Sequence, residues 1–179
     1  MADEVQDSTR RTALWWYRRP GVVYFFGAGG KAIKIGVTTL FGDLNENDAP
    51  SNDMNDKELE TFDFQAFDPS QIEIRDLDLK RGVQECVLRR HKQIQSSNHE
   101  TVELLGIIPF LEGDWPARRA ELCERKLHLH FSKQQRFEPH TAGAEWFTPG
   151  TELLDYIKGH TCPPENFDIK PTIGRPTNR

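Results

Sequence analysis

Residues 22–36 read "VVYFFGAGGKAIKIG", an apolar run with a tyrosine in its first half, a lysine in its second half and glycines between them. A Walker phosphate loop needs G-x-x-x-x-G-K-[ST], and a dinucleotide fingerprint needs G-x-G-x-x-G leading into a helix. The run fits neither pattern, because its glycines precede an alternating, β-branched "KAIKIG" and then residues that do not begin a helix. It therefore predicts a β-hairpin with a glycine-rich turn.

Two residues of this predicted hairpin are unusual for its apolar setting. Tyr24 and Lys34 lie on the two facing strands, where they could project from one face and meet as neighbours. An ordinary role is open for each of them. Tyr24 fits a strand aromatic, and Lys34 fits an edge charge that deters aggregation.

The composition indicates one intracellular domain with an uneven charge. The chain has 179 residues, 36% of them hydrophobic, and a net charge of −5. Residues 41–80 hold 12 acidic and three basic residues, a net −9, so the remainder of the chain is +4. Such a basic body can attract phosphate despite its acidic insert. The polar N-terminus, the lack of a membrane-length apolar run and three separated cysteines predict a protein of the cytoplasm or nucleoid, neither secreted nor membrane-bound.

The pattern of elements predicts an α/β fold with a small, mainly antiparallel central sheet flanked by helices. We divide the chain into an N-terminal arm (1–20), a domain (21–160) with an acidic insert at about 41–80, and a loose tail (161–179). After the hairpin we expect a short strand at 71–74, helices within 80–95 and 116–135, a buried strand at 101–110, and an extended piece with a third helix within 143–159, closed by Gly159.

Charged residues occur on the apolar faces of two predicted helices. Arg90 shares a face with valines and an isoleucine, and Glu124 belongs to a stripe with Leu127, His128 and Phe131. A glutamate in an apolar stripe must be desolvated or be given a partner. A buried Arg90–Glu124 ion pair is one alternative, although it leaves the hairpin tyrosine and lysine unexplained.

The ordered motifs resemble the GIY-YIG nuclease superfamily, and especially its phage-type branch, in which lysine replaces the second tyrosine. "VYF" and "IKIG" are similar to the two halves of the signature, and "RHKQIQSSN" at 90–98 to the end of the arginine helix. "ELLGIIP" resembles the third strand, "ERKLHLHF" at 124–131 the E-x-x-L-H-x-x-F helix, and "EWF" at 145–147 the closing motif. The similarity covers roughly residues 21–159. It departs from the family in the acidic insert and in the first glycine, which is valine here.

The resemblance implies a GIY-YIG-like fold and a divalent-metal-dependent DNA endonuclease. Tyr24 would activate water or receive its proton, and Lys34 would stabilise the phenolate or touch the phosphate. Arg90 would hold the scissile phosphate, and Glu124 would bind one Mg²⁺ or Mn²⁺ ion. His128 is a further catalytic candidate by its position in the motif. The expected DNA-binding residues are Arg18, Arg19, Arg89 and Lys92.

Several expectations concern residues around this set. His91 is expected on the solvated surface, Glu145 in a structural role, and Trp15 and Trp16 in packing on the hairpin. A domain of this size often dimerises to cut both strands, so a homodimer is possible. Two rival functions are a catalytically silent nucleic-acid-binding module on the same fold and a protein-interaction domain that acts through the acidic insert.

Overall fold

The structure, a computed structural model, describes residues 17–40, 56–138 and 143–172 and has the expected α/β architecture. A four-stranded antiparallel sheet has the strand order β3-β1-β2-β4. Its strands are β1 (Gly21–Ala28), β2 (Ala32–Thr39), β3 (Val102–Phe110) and β4 (Trp146–Phe147). The helices of the described residues are α1 (Asp56–Thr61), α2 (Leu77–Ser96), α3 (Pro116–His130) and α4 (Thr151–His160). No helix among these residues combines the length and the apolarity needed to cross a membrane.

The glycine-rich run forms the predicted hairpin. Gly29 and Gly30 have φ values of 55° and 68°, in the left-handed region that glycine enters without steric cost. Tyr24 lies opposite Gly36, and Phe26 lies opposite Lys34. Because directly opposed residues share a face and alternate residues repeat it, Tyr24 and Lys34 are diagonal neighbours on one face of the sheet. The expectation that they share a face is confirmed.

The hairpin is apolar throughout because the sheet is covered on both faces. One face packs Val23, Phe25 and Ile35 against residues of α3 and α4. The other face packs Val22, Tyr24 and Phe26 against α2. Helices α2 and α3 therefore lie on opposite sides of the sheet. This separation decides which candidate side chains can meet.

The helix boundaries agree with the sequence predictions only in part. Helix α2 begins at Leu77 because the Asp76 carboxylate accepts hydrogen bonds from the N–H groups of Asp78 (2.9 Å) and Leu79 (3.1 Å). Helix α3 begins at Pro116, as predicted. Helix α4 runs through Gly159 to His160, so the prediction that Gly159 closes it is wrong. The predicted strand at 71–74 is also wrong, since a 3-10 turn and irregular backbone occupy these positions.

The segment after α4 is part of the packed domain. Cys162, Phe167 and Ile169 are buried in the cluster on the α2 side of the sheet. Cys162 N–H donates to Ile107 O (2.8 Å), and Ile107 N–H donates to Cys162 O (3.0 Å). The expectation of a loose tail is therefore wrong for residues 161–172. Residues 173–179, the arm to residue 16 with Trp15 and Trp16, and residues 41–55 of the insert lie outside the described part.

Candidate functional site

The site is built on the outer edge of β2, around Ile35. Strand β4 pairs with β2 only at Ile33 and Lys34. Just beyond this pairing, Ile35 N–H donates to the backbone oxygen of Glu145 (3.1 Å), and Ile35 O accepts a hydrogen bond from His128 Nε2 (3.1 Å). Two segments distant in sequence thus satisfy the outward-pointing backbone groups of a single edge residue.

Lys34 forms an ion pair with Glu145 at this edge. Its ammonium nitrogen also lies 5.7 Å from the ring centroid of Trp146, the residue paired with it across the strands. The Lys34 side chain is 17% exposed and that of Glu145 is 48% exposed. The sequence analysis missed Glu145 as a site residue. Its signal was present, because it directly precedes the closing "WF" strand, but its partner is 111 positions away.

Glu124 is the most strongly perturbed carboxyl group of the site. It faces inward from α3, is 15% exposed, and lies 3.3 Å from His128 Nε2 one turn later. Burial is the main cause that raises the pKa of Glu124 to about 8; the negative charges of Glu145 and Glu121 contribute in the same direction, and Arg125 and Lys34 oppose them. The carboxylate therefore lacks sufficient positive charge around it.

His128 connects Glu124 to the strand edge. Burial lowers its pKa below the ordinary value, so the imidazole is neutral at about pH 7 and its Nε2–H can donate to Ile35 O. The ring lies 5.1 Å from the ring of Phe147. His128 is thus held in place by a backbone hydrogen bond on one side and an aromatic contact on the other.

Tyr24, on the neighbouring strand β1, reaches residues 34–36 of β2, the stretch that also carries Lys34 and Ile35. It is buried, and its ring lies 5.0 Å from that of Phe26. A Cβ atom on Gly36 would overlap the Tyr24 hydroxyl group, so the hydroxyl lies directly against the Gly36 backbone. Glycine at position 36 is therefore required for this tyrosine to extend to the β2 edge.

The arginine helix α2 packs on the face of the sheet that carries Tyr24, opposite to α3. Arg90 is half-buried on α2, and its guanidinium donates to Gln93 Oε1 (3.1 Å). The structure pairs Glu124 with His128 rather than with Arg90. The alternative of a buried Arg90–Glu124 ion pair is therefore wrong. The expectation of a solvated His91 is wrong. This residue is buried, and its Nε2 donates to Val102 O at 2.8 Å.

The candidate DNA-binding residues divide between two places. The Arg18 guanidinium lies 5.4 Å from the ring centroid of Trp115, the residue preceding α3. Arg19 is half-buried, and burial lowers its pKa. Arg89 and Lys92 are exposed on α2, on the opposite side of the sheet from α3. The structure shows no contact that gathers all four residues into one patch of the described surface.

The acidic groups fit one particular mode of metal binding. Among the described residues, no group of three or more histidine, cysteine, aspartate or glutamate side chains is arranged to hold a metal ion. An all-protein cage of the kind used for zinc or calcium is therefore not formed by these residues. Magnesium keeps several of its waters and takes one or two carboxylates together with substrate phosphate. The buried, charge-deficient Glu124 suits that role.

The chain was compared with protein-family models, curated proteins and solved structures. The chain matches no protein-family model, no curated protein and no solved structure. The GIY-YIG likeness consequently stays a resemblance of ordered motifs. Any functional conclusion depends on those motifs and on the arrangement at the β2 edge.

Proposed function

We propose that the protein is a divalent-metal-dependent DNA endonuclease of the GIY-YIG type. The observation that supports this most is the convergence at residues 34–36 of β2. Lys34 projects from this stretch, and Glu145 and His128 bind the backbone of Ile35 from separate segments. The Tyr24 hydroxyl lies against the Gly36 backbone. Ionisable groups from four segments seldom meet at one strand edge for packing reasons alone, and perturbed groups concentrate at functional sites.

The roles follow from the chemistry of phosphodiester hydrolysis. A water oxygen forms a bond to phosphorus, the bond between phosphorus and the leaving oxygen breaks, and the water loses a proton. In the proposal Tyr24, in its phenolate form beside the Lys34 cation, receives that proton, and the leaving oxygen takes up a proton from solvent. Lys34 and Arg90 offset the charge of the phosphate oxygens, Arg90 through its planar fork. A magnesium or manganese ion on Glu124, when bound, supplies Lewis-acid stabilisation of negative charge.

His128 and Glu145 have supporting roles in this scheme. The neutral imidazole of His128 fixes the position of the Glu124 carboxyl relative to the strand edge. Glu145 holds the Lys34 ammonium in the free protein, and a phosphate would compete with it for the same cation. The fold supplies rigid supports for each group, because Lys34 lies on a strand and Glu124 and His128 lie on a packed helix.

A plasmid-nicking assay with and without Mg²⁺ tests the proposal. The critical variant is Tyr24→Phe, which removes one hydroxyl and keeps the ring. Tyr156→Phe is its matched control, because the Tyr156 hydroxyl is also buried but donates to Phe64 O (2.7 Å) elsewhere. We expect Mg²⁺-dependent nicking by the wild type, a loss of about 100-fold or more in Tyr24→Phe, and nicking retained in Tyr156→Phe.

Other outcomes distinguish the rival functions. Plasmid binding without nicking at any metal concentration would indicate a silent nucleic-acid-binding module. The absence of both binding and nicking would favour a protein-interaction domain. Equal nicking by wild type and Tyr24→Phe would show a different catalytic group or a contaminating nuclease, and would remove the support for this site.

A further inference from the structure

The outer side of α3 carries a cationic stripe. Arg118 and Lys126 follow at four-residue intervals with Leu122 between them, so all three lie along one line of the helix. Arg119 adjoins this line and is exposed. Among the carboxylates of α3, Glu124 lies on the opposite side of the helix, whereas Glu121 borders the stripe, where the Arg118 charge opposes the rise in its pKa. The stripe is therefore mainly cationic, with one acidic residue of its own helix at its margin.

Helix α1 covers this stripe with oxygen atoms. The Glu58 carboxylate forms an ion pair with Arg118. The Lys126 ammonium donates to the backbone oxygens of Leu59 (2.9 Å) and Glu60 (3.2 Å) in the last turn of α1, where carbonyl groups have no partner within the helix. Both cations of the stripe are thus contacted by one short segment of the acidic insert, and the Arg118 guanidinium also lies 5.0 Å from the ring centroid of Tyr17.

Polar contacts hold α1, whereas apolar contacts hold the chain that follows it. Within α1, Glu58 and Glu60 are exposed and Leu59 is only half-buried. Further along, Phe64 is buried, and its backbone oxygen accepts the Tyr156 hydroxyl group. Segments with few buried apolar contacts open at low cost. Helix α1 can therefore leave the stripe while the chain at Phe64 stays attached.

We propose that the stripe of Arg118 and Lys126 is a backbone-binding surface for duplex DNA, which α1 occupies in the free protein. A carboxylate on arginine and carbonyl oxygens on lysine are the contacts that phosphate oxygens would replace. Helix α3 also carries Glu124, but on the side opposite to the stripe, so the stripe is a surface distinct from the proposed catalytic edge. The choice of DNA as the partner rests on the proposed function, whereas competition between α1 and a polyanion does not require cleavage.

The test compares two variants that remove one negative charge each from α1. Of these two glutamates, Glu58 forms the ion pair with Arg118, and the exposed Glu60 supplies the matched control. Binding of a fluorescein-labelled duplex is followed by anisotropy without metal, so no cleavage interferes. Glu58→Gln should bind DNA more tightly than Glu60→Gln. The slope of log K against log salt concentration should be steeper by about 0.9, the value for one added phosphate contact. The affinity advantage of Glu58→Gln should shrink about 3.5-fold between about 50 mM and about 200 mM salt.

A double variant tests whether the extra DNA affinity of Glu58→Gln depends on Arg118. Adding Arg118→Met to Glu58→Gln should abolish the extra affinity and the steeper salt dependence, because the uncovered cation is then gone. Equal binding by Glu58→Gln and Glu60→Gln would overturn the inference, as would extra affinity that survives Arg118→Met. Tighter binding of a polyglutamate peptide but not of DNA would also overturn it.

The nuclease proposal and this inference fail separately. Absence of nicking together with the predicted difference between Glu58→Gln and Glu60→Gln would refute only the catalytic proposal. Normal nicking with equal DNA affinity of Glu58→Gln and Glu60→Gln would refute only the inference that α1 covers a DNA-binding surface.

Discussion

Helix α3 has charged residues on two sides, and the two sides differ in how those charges are compensated. On the side that carries Glu124, burial raises the pKa of Glu124 to about 8 and that of Glu121 to about 7. On the opposite side, the cations Arg118 and Lys126 are contacted by α1. The acidic side is thus short of positive charge, and the basic side is covered by negative charge.

The difference separates a candidate site from a covered surface. A carboxylate that is buried without a sufficient counter-charge costs stability, and such groups persist where a ligand supplies the missing charge. Paired charges on a partly exposed surface contribute little to stability and exchange partners easily. The first arrangement indicates a place for a cation, and the second indicates a contact that a competing anion can replace. Each of the following predictions alters one side of α3.

The largest effect is expected from Glu124→Gln. The pKa of this carboxyl rises from 4.5 to about 8 on folding. Between these values the unfolded chain releases its proton and the folded chain keeps it, so wild-type stability falls as the pH rises through this window. The Glu124→Gln variant does not lose stability in this way, because glutamine does not titrate. Its free energy of unfolding should exceed that of the wild type by at most about 5 kcal/mol at about pH 8, and by little at about pH 5.

Urea unfolding at the two pH values measures this difference, and plasmid nicking by the same preparation should be lost. Glu85→Gln, a change at an exposed position on α2, is the control and should leave both quantities unchanged. A Glu124→Gln protein that is destabilised equally at both pH values, yet still cuts, would contradict the metal-ligand role. It would show that Glu124 serves the fold instead.

A smaller effect is expected from Glu121→Gln, which tests whether charge deficiency alone marks the site. The pKa of Glu121 is raised by burial from 4.5 to about 7, with Arg125 and Arg118 acting in the opposite direction. The variant should gain at most about 3 kcal/mol of unfolding free energy at about pH 8 by the same reasoning. Nicking should persist, because Glu121 makes no contact at the β2 edge in the described structure. Loss of nicking would extend the site along α3 to this residue.

The smallest effect is expected on the basic side, from Arg118→Met. Its partner Glu58 is 45% exposed and regains water when the ion pair is lost. The free energy of unfolding should fall by less than about 1 kcal/mol, and the loss should diminish at high salt. The loss should be somewhat larger at about pH 8 than at about pH 5, because Arg118 opposes the rise in the pKa of Glu121 and its removal lets that pKa rise further. Arg81→Met, at an exposed position on α2, is the control. A loss of several kcal/mol would mean that α1 is a structural part of the domain.

Some of these features could be predicted from the sequence because they depend on neighbours in the chain. Alternating β-branched residues around two glycines were enough to predict the hairpin and the shared face of Tyr24 and Lys34. Helical spacing was enough to place Glu124 and His128 on an apolar stripe. Failures occurred where distant chain segments decide burial. His91 is buried because β3 offers it the Val102 carbonyl, and the chain after α4 packs because β3 has a free edge for it.

The sequence by itself determined the hairpin, the buried strand β3, the three longer helices and the positions of the charged residues along them, since these follow from local periodicity and backbone preference. The tertiary structure decided which charges meet. It brought Glu145 to Lys34 across 111 positions, placed α2 and α3 on opposite faces, and laid α1 on Arg118. Electrostatic energy depends on distance and burial in three dimensions, and neither quantity is a function of spacing along the chain. For that reason the shortage of positive charge around Glu124 and the covering of Arg118 became visible only in the folded protein.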